Sequence, residues 1–129
     1  MRPGLAVGQQ AVIEVTVTLE MLAQFGGKLI HPVYSTASMV YHMEWASRQI
    51  ILPYLEANEE GMGAAVTVKH ISPCPLNSII TFIATVLNLE DHSVITTVEA
   101  KSNGRMVGLG EVKQVIMPKK RIAELTAET

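Results

Sequence analysis

The sequence is poor in the features that announce most chemistries. It has one cysteine, Cys74, so no internal disulfide can form and no thiolate cluster can hold a metal. The four histidines, His31, His42, His70 and His92, are scattered, and no CxxC or HExxH spacing occurs, which removes the common zinc signatures. GxGxxG, Walker and GxSxG patterns are also missing, so nothing predicts a dinucleotide site, a phosphate loop or a serine elbow. No metal and no cofactor are expected. Charged residues are few, at 17%, and the net charge is −2. A nucleic-acid partner is not expected, because such proteins carry a basic stripe or patch. The one basic cluster, Lys119-Lys120-Arg121, reads as a solvated tail, with a phosphate contact as the lesser reading. No apolar run approaches the roughly 18 residues of a membrane span. The opening MRPGLAVGQQ lacks the apolar centre of a signal peptide. A soluble cytoplasmic protein with no membrane partner follows by elimination.

What is present is a globular balance. The 129 residues are 48% hydrophobic, enough for one core and one domain, 1–129, with a polar tail over 118–129. Residues 11–19 alternate, with Ala11, Ile13, Val15, Val17 and Leu19 on one parity, which predicts a half-buried strand. Residues 20–35, punctuated by Gly26-Gly27 and Pro32, read as a loop with one short helical turn near 20–25. Residues 36–56 carry the only long helical pattern: Met39, Val40, Met43, Ser47, Ile50 and Tyr54 fall near helical spacing. Ser35 and Thr36 are both plausible N-caps. Pro53 should kink or end the helix.

Everything after the turn at 58–61 reads as strand. Residues 62–71 alternate, with Ala64, Val66, Val68 and His70 on one parity, until Pro73 and Pro75 stop them. Residues 78–89 are apolar on both parities and predict a central strand. Strands over 94–101 and 105–117 flank Asn103-Gly104, a two-residue hairpin signal. The order is strand, long helix, then four strands. That is an α+β domain, a five-stranded antiparallel sheet whose one face only the helix can cover, which is the hot-dog architecture.

Three residues could carry chemistry. Glu44 lies mid-helix between Met43 and Trp45. On a buried helix its carboxylate would need a partner or a task, and burial would raise its pKa toward general-base range. Its ordinary reading is an exposed helix glutamate. His70 shares the parity of Val66 and Val68, near a strand end where sites often form; its ordinary reading is a satisfied structural histidine. Thr36 is either a cap or a hydroxyl beside the positive helix end. Eight residues of regular helix would separate it from Glu44 by roughly 12 Å, so a shared site needs a fold-back, a partner subunit's copy or a bridging substrate. Ser35, Ser38 and Cys74 are poor nucleophile candidates. His42, two residues from Glu44, diverges from it and reads as a surface or dimer contact.

The stretches VYST at 33–36, MEWA at 43–46, PYLE at 53–56 and VKHISPCP at 68–75 resemble the fluoroacetyl-CoA thioesterase family of hot-dog proteins, over roughly residues 6–117. The family's catalytic threonine, glutamate and histidine match Thr36, Glu44 and His70 at intervals of eight and twenty-six residues. The resemblance implies hydrolysis of an acyl-CoA by a homodimer in which the strand carrying His70 pairs with its copy; a tetramer stays open. It implies that Glu44 activates water or attacks the thioester, that His70 moves or holds the proton, and that Thr36 positions them or is the nucleophile. Gly61, Gly63 and Ala64, through their backbone amides, or Thr36 itself, are candidate substrate-binding donors for the developing oxyanion. Residues 20–35 look shorter than the family's lid-like insertion, so a general small acyl-CoA is expected rather than the fluorinated one. The rival readings are a non-catalytic acyl-CoA-binding or sensing module, and a hydratase or dehydratase, whose short Asp-His motif is missing.

Overall fold

The computed structural model describes residues 1–127. In chain order its elements are β1 (Gln10–Thr16), β2 (Leu22–Phe25), β3 (Lys28–Tyr34), α1 (Thr36–Ile51), β4 (Glu59–His70), β5 (Ile79–Glu90), β6 (Ser93–Ser102), β7 (Arg105–Pro118) and α2 (Lys119–Ala127). Five strands form one antiparallel sheet in the order β1-β5-β6-β7-β4, and β2-β3 form a separate hairpin. Helix α1 lies on the sheet, as the strand-helix-strand order requires.

The core is the inner parity of the strands closed by the inner stripe of α1. Ile80, Phe82, Ala84 and Val86 of β5, Val94 and Val98 of β6, and Val112 of β7 are buried against Met39, Met43, Ala46 and Ile50 of the helix. Each such large side chain stabilises the fold by about 1.5–3 kcal/mol, so burial rather than helix propensity decides where α1 lies. β5 is central, between β1 and β6, but its outer parity is open: Ile79 and Leu87 are exposed, so it is not buried on both faces in one chain.

Proline and glycine set the punctuation. α1 ends at Ile51 and tightens into a 3-10 turn over Leu52–Tyr54, because Pro53 cannot donate the next helical bond. Asn103 and Gly104 take positive φ, 50° and 74°, in the turn between β6 and β7. Residues 20–35 are not a loop. After a 3-10 turn at Leu19–Met21 they form the β2–β3 hairpin around Gly26 and Gly27, whose φ values are 60° and 76°. Pro32 is tolerated because a two-stranded ribbon leaves its outer edge unpaired. The tail after β7 is helical through Ala127, with Lys119, Lys120 and Arg121 exposed and Arg121 meeting Glu124 at 3.5 Å; residues 128 and 129 of the expected tail lie outside the described residues. No helix among the described residues is long and apolar enough to cross a membrane.

Candidate active site

Glycines let α1 settle deeply onto one side of the sheet. On β7, a Cβ at Gly108 would come within 2.5 Å of Met39 Sδ, and one at Gly110 would collide with Met43 Sδ. On β4, Gly61 faces Ile51 and Gly63 faces Glu44. A notch free of side chains thus runs under the helix, and it brings helix residues close to β4, the edge strand.

The helix N-terminus meets the end of β4. Ser35 is the N-cap; its Oγ accepts the Ser38 N–H at 3.0 Å. This leaves the hydroxyl of Thr36, the first helical residue, unused by the helix, and its Oγ1 lies 2.9 Å from His70 Nδ1. The approach is fixed by the Tyr34 N–H, which donates to the Cys74 carbonyl at 2.8 Å, and by a bridge between Val33 and Pro75. The Tyr34 ring packs edge-on against the His70 ring at 6.2 Å. His70 Nε2 is buried and has no hydrogen-bond partner among the described residues.

Glu44 stands elsewhere on the same surface. It is exposed in the single chain, so the burial expected of it is not present there. Only the far side of α1 is packed; Tyr41 and Trp45 remain 64% and 46% exposed. Glu44 Oε2 lies 2.9 Å from the point a Cβ on Gly63 would occupy. A cavity of about 320 Å³ opens here between helix and sheet. Tyr41, Glu44, Trp45 and Arg48 form its helix wall, and Gly61, Gly63, Val112 and Gln114 form its sheet wall. Arg48 is held by Glu60 at 2.9 Å, and that guanidinium, ahead of the Gly61 amide, keeps the Glu60 carboxyl below the usual range. Thr36 and His70 do not line this cavity. One chain therefore joins Thr36 to His70 and leaves Glu44 apart, by roughly 12 Å of helix.

A bulge decides which side chains of β4 share a face. The register with β7 shifts between Gly63 and Ala65, leaving Ala64 without a partner. Gly61 and Gly63 face the helix before the bulge; Val66 and Val68, which pack on the core, face it after. An extra strand residue reverses parity, so Gly63 and His70 share the inner face although seven positions apart. The sequence-based alternation placed Ala64 with His70. Ala64 is instead the exposed extra residue and does not line the cavity.

Sequence reasoning misplaced His42 and missed Tyr34 and Gln114, whereas Cys74 is the poor nucleophile expected. His42 is not a surface contact. It is 4% exposed, hydrogen-bonded through Nδ1 to the Tyr34 hydroxyl and packed on Phe82; burial pushes its pKa down. Its place three residues after Met39, in the helical series of buried positions, was the available signal. Burial, with a smaller contribution from Cys74, pushes the Tyr34 hydroxyl far up, so it stays protonated. Cys74 is fully buried, and burial raises its pKa, with Arg105 opposing, which suits a structural thiol. Gln114 is a lone amide between Val112 and Ile116 on the inward parity of β7, a pattern visible in the sequence.

A five-stranded antiparallel sheet holding one long helix is the hot-dog fold, and solved structures agree. A Thermus thermophilus thioesterase superfamily member is 39% identical, with TM-score 0.95 over 99% of this chain and 94% of that one. A mutant of the fluoroacetyl-CoA-specific thioesterase FlK is 23% identical, with TM-score 0.88 over 99% of this chain and 100% of that one. In sequence, the fluoroacetyl-CoA thioesterase of Streptantibioticus cattleyicolor is 29% identical over 85 residues, 66% of this chain and 61% of that protein; the match thus spans less than two thirds of that relative's length. The family model described as fluoroacetyl-CoA-specific thioesterase matches residues 17–120. The chain belongs to that family.

Proposed function

We propose that the protein is an acyl-CoA thioesterase that hydrolyses a small acyl-CoA to the free acid and CoA, with Thr36, Glu44 and His70 as its catalytic residues. The observation that carries the reading is the 2.9 Å contact of Thr36 with His70, whose buried Nε2 has no partner among the described residues. With the Thr36 hydroxyl donating to Nδ1, Nε2 carries the ring proton and can give it to a leaving group. Glu44 takes a proton from water as the water oxygen attacks the thioester carbonyl carbon. The C–S bond breaks, the acyl carbon keeps the new oxygen, and the CoA sulfur takes the His70 proton, which is replaced through solvent from Glu44. The Gly63 backbone amide, beneath Glu44, is the donor proposed for the developing oxyanion, since the Gly61 amide is taken by Glu60 at 2.9 Å.

The working unit is a homodimer. β4 is an edge strand with an exposed run from Met62 to Ala65, and beside it α1 leaves Tyr41 and Trp45 open. A long unpaired edge next to exposed aromatics is a surface that a partner covers. Antiparallel pairing of β4 with its own copy, about a two-fold axis at Thr67 with Ala64 bulged out of the ladder, sets Gly63 opposite the partner's His70. Glu44, over Gly63, then meets the Thr36–His70 pair of the other subunit, which answers their separation within one chain. The cytoplasm is the compartment proposed, since acyl-CoA is made and used there.

The test is complementation. Glu44→Gln and His70→Ala should each lower CoA release by about 10²-fold or more. Mixed and re-associated, the two variants should recover about one quarter of wild-type activity, because half of the random dimers contain one intact composite site. No recovery, in a mixture shown to form heterodimers, refutes the shared site; full activity in either single variant refutes the catalytic assignment. Tight acyl-CoA binding without any hydrolysis would favour a sensing module instead.

A further inference from the structure

The inner end of the Glu44 cavity holds a group that the proposed reaction does not use. Gln114 is 5% exposed, yet its Nε2 makes no hydrogen bond among the described residues. The residue lies directly across from Gly63 in the β4–β7 ladder and lines the same cavity as Glu44. Its Oε1 lies 3.7 Å from the point where a Cβ on Gly61 would stand, so the amide lies under the glycine notch. A buried amide donor left unpaired is costly, and such groups are rarely left so without a reason. On the neighbouring wall Val112 is apolar and Arg48 only donates, and the acceptors that share the cavity, the Glu44 carboxylate and the Tyr41 hydroxyl, make no hydrogen bond with Nε2.

The acceptor is therefore supplied by what enters the cavity. With the thioester at Glu44 and the CoA arm running out to solvent, the acyl chain is the part that reaches inward to Gln114. We propose that Gln114 selects the acyl group, donating a hydrogen bond from Nε2 to an uncharged oxygen, a keto or hydroxyl group, borne on a short acyl chain. This rests on the thioesterase reading above. Local charge decides against an acyl chain ending in carboxylate. Arg48 is already matched by Glu60, which leaves the Glu44 carboxylate uncompensated at the cavity wall. A hydrocarbon chain fits the cavity but leaves Nε2 unpaired. A keto or hydroxyl oxygen satisfies it.

Hydrolysis of butyryl-, 3-oxobutyryl-, 3-hydroxybutyryl- and succinyl-CoA by the wild type, Gln114→Leu and Gln114→Met tests this, with the affinity of each ester measured by calorimetry on Glu44→Gln. The wild type should favour the two oxygenated esters over butyryl- and succinyl-CoA by about tenfold or more in kcat/KM. Gln114→Leu should bring the oxygenated and plain esters to parity by losing the former, with butyryl-CoA unchanged or faster. Its melting temperature should be no lower than wild type, because an unpaired buried amide has been removed. Gln114→Met gives the same comparison should the leucine variant fail to fold. Equal loss on every ester, or a preference that survives both substitutions, overturns the proposal. If the wild type hydrolyses none of the esters, the thioesterase reading fails, and the affinities still decide: tighter binding of the oxygenated esters, lost when Gln114→Leu is added, supports selection by Gln114, and equal binding overturns it.

Discussion

Adding one methyl group at Gly63 separates the position of Glu44 from the stability of the fold. Gly63 is strand residue with no positive φ, so alanine can adopt its backbone. The new Cβ would lie 2.9 Å from Glu44 Oε2 and 3.7 Å from its carboxyl carbon, with nothing else within 4 Å. Ordinary contact is about 3.5–4.0 Å, so the carboxylate must move by about 0.6–1 Å. A misplacement of about 1 Å at a reacting group costs up to about 10²-fold in rate. Gly63→Ala should therefore lower kcat/KM about 10- to 100-fold. The fold should hardly notice. Reduced freedom of the unfolded chain contributes about 0.4–1 kcal/mol in favour, and an off-rotamer Glu44 costs about 0.5–1.5 kcal/mol, so the net change stays within about 1 kcal/mol. Gly61→Ala is the control. Its Cβ collides with Ile51, a fully buried core side chain, and overpacking of that kind costs about 1–3 kcal/mol. CoA release followed with a thiol reagent, beside thermal melts by circular dichroism, reads both quantities. Full turnover in Gly63→Ala, or an activity loss matched by an equal loss of stability, would refute the reasoning.

Other outcomes follow from the same geometry. Thr36→Val should lower kcat about 10²-fold while costing little stability, because Ser35 caps the helix; Ser35→Ala should cost about 1 kcal/mol in chemical denaturation and affect turnover less. His42 is buried with its pKa below the ordinary 6.5. The unfolded chain thus binds a proton that the folded chain refuses, so stability is complete above pH 6.5 and falls as pH drops below it. Melting temperature should decline from pH 7 toward pH 5, and His42→Gln, which keeps an acceptor for Tyr34, should flatten that decline; an unchanged slope contradicts it.

Much of the fold was legible because burial has a period. The alternation of Val15 and Val17, the helical spacing of Met39, Met43 and Ile50, and the Asn103-Gly104 turn each translate directly into structure. The Gly26-Gly27 hairpin carried the same kind of two-residue turn signal, but β2 and β3 lack a clean alternation: Phe25, Leu29 and Ile30 are all exposed. With no buried face there is no period to read. Glu44 was weighed as a buried acid, beside the exposed glutamate it is, because its helix was expected to be largely buried. The sheet covers only one, and the open side would become interior in the proposed dimer, which one chain's alternation cannot encode. Gln114 was legible in principle, as one polar residue in an apolar series, yet only coordinates reveal that its amide has no partner.

The bulge at Ala64 shows why the spacing of site residues in sequence is a weaker guide than their register. Thr36, Glu44 and His70 were connected by intervals along the chain, but intervals do not fix faces. Without an extra residue, Gly63 and His70 would lie on opposite faces of β4, because side chains alternate at every step. Either Glu44 would lose its glycine notch or His70 would turn away from Thr36. The bulge lets one edge strand present the notch at one end and the imidazole at the other, both toward the helix. In the proposed dimer, a two-fold axis between them brings each end to the opposite end of its copy. The same irregularity leaves an exposed, unpaired residue on the edge, where bulges discourage indiscriminate strand addition. The irregularity in the alternation is thus what would allow the proposed symmetric pair to build two sites from one strand, and it is the feature that a reading of regular periodicity is least equipped to find.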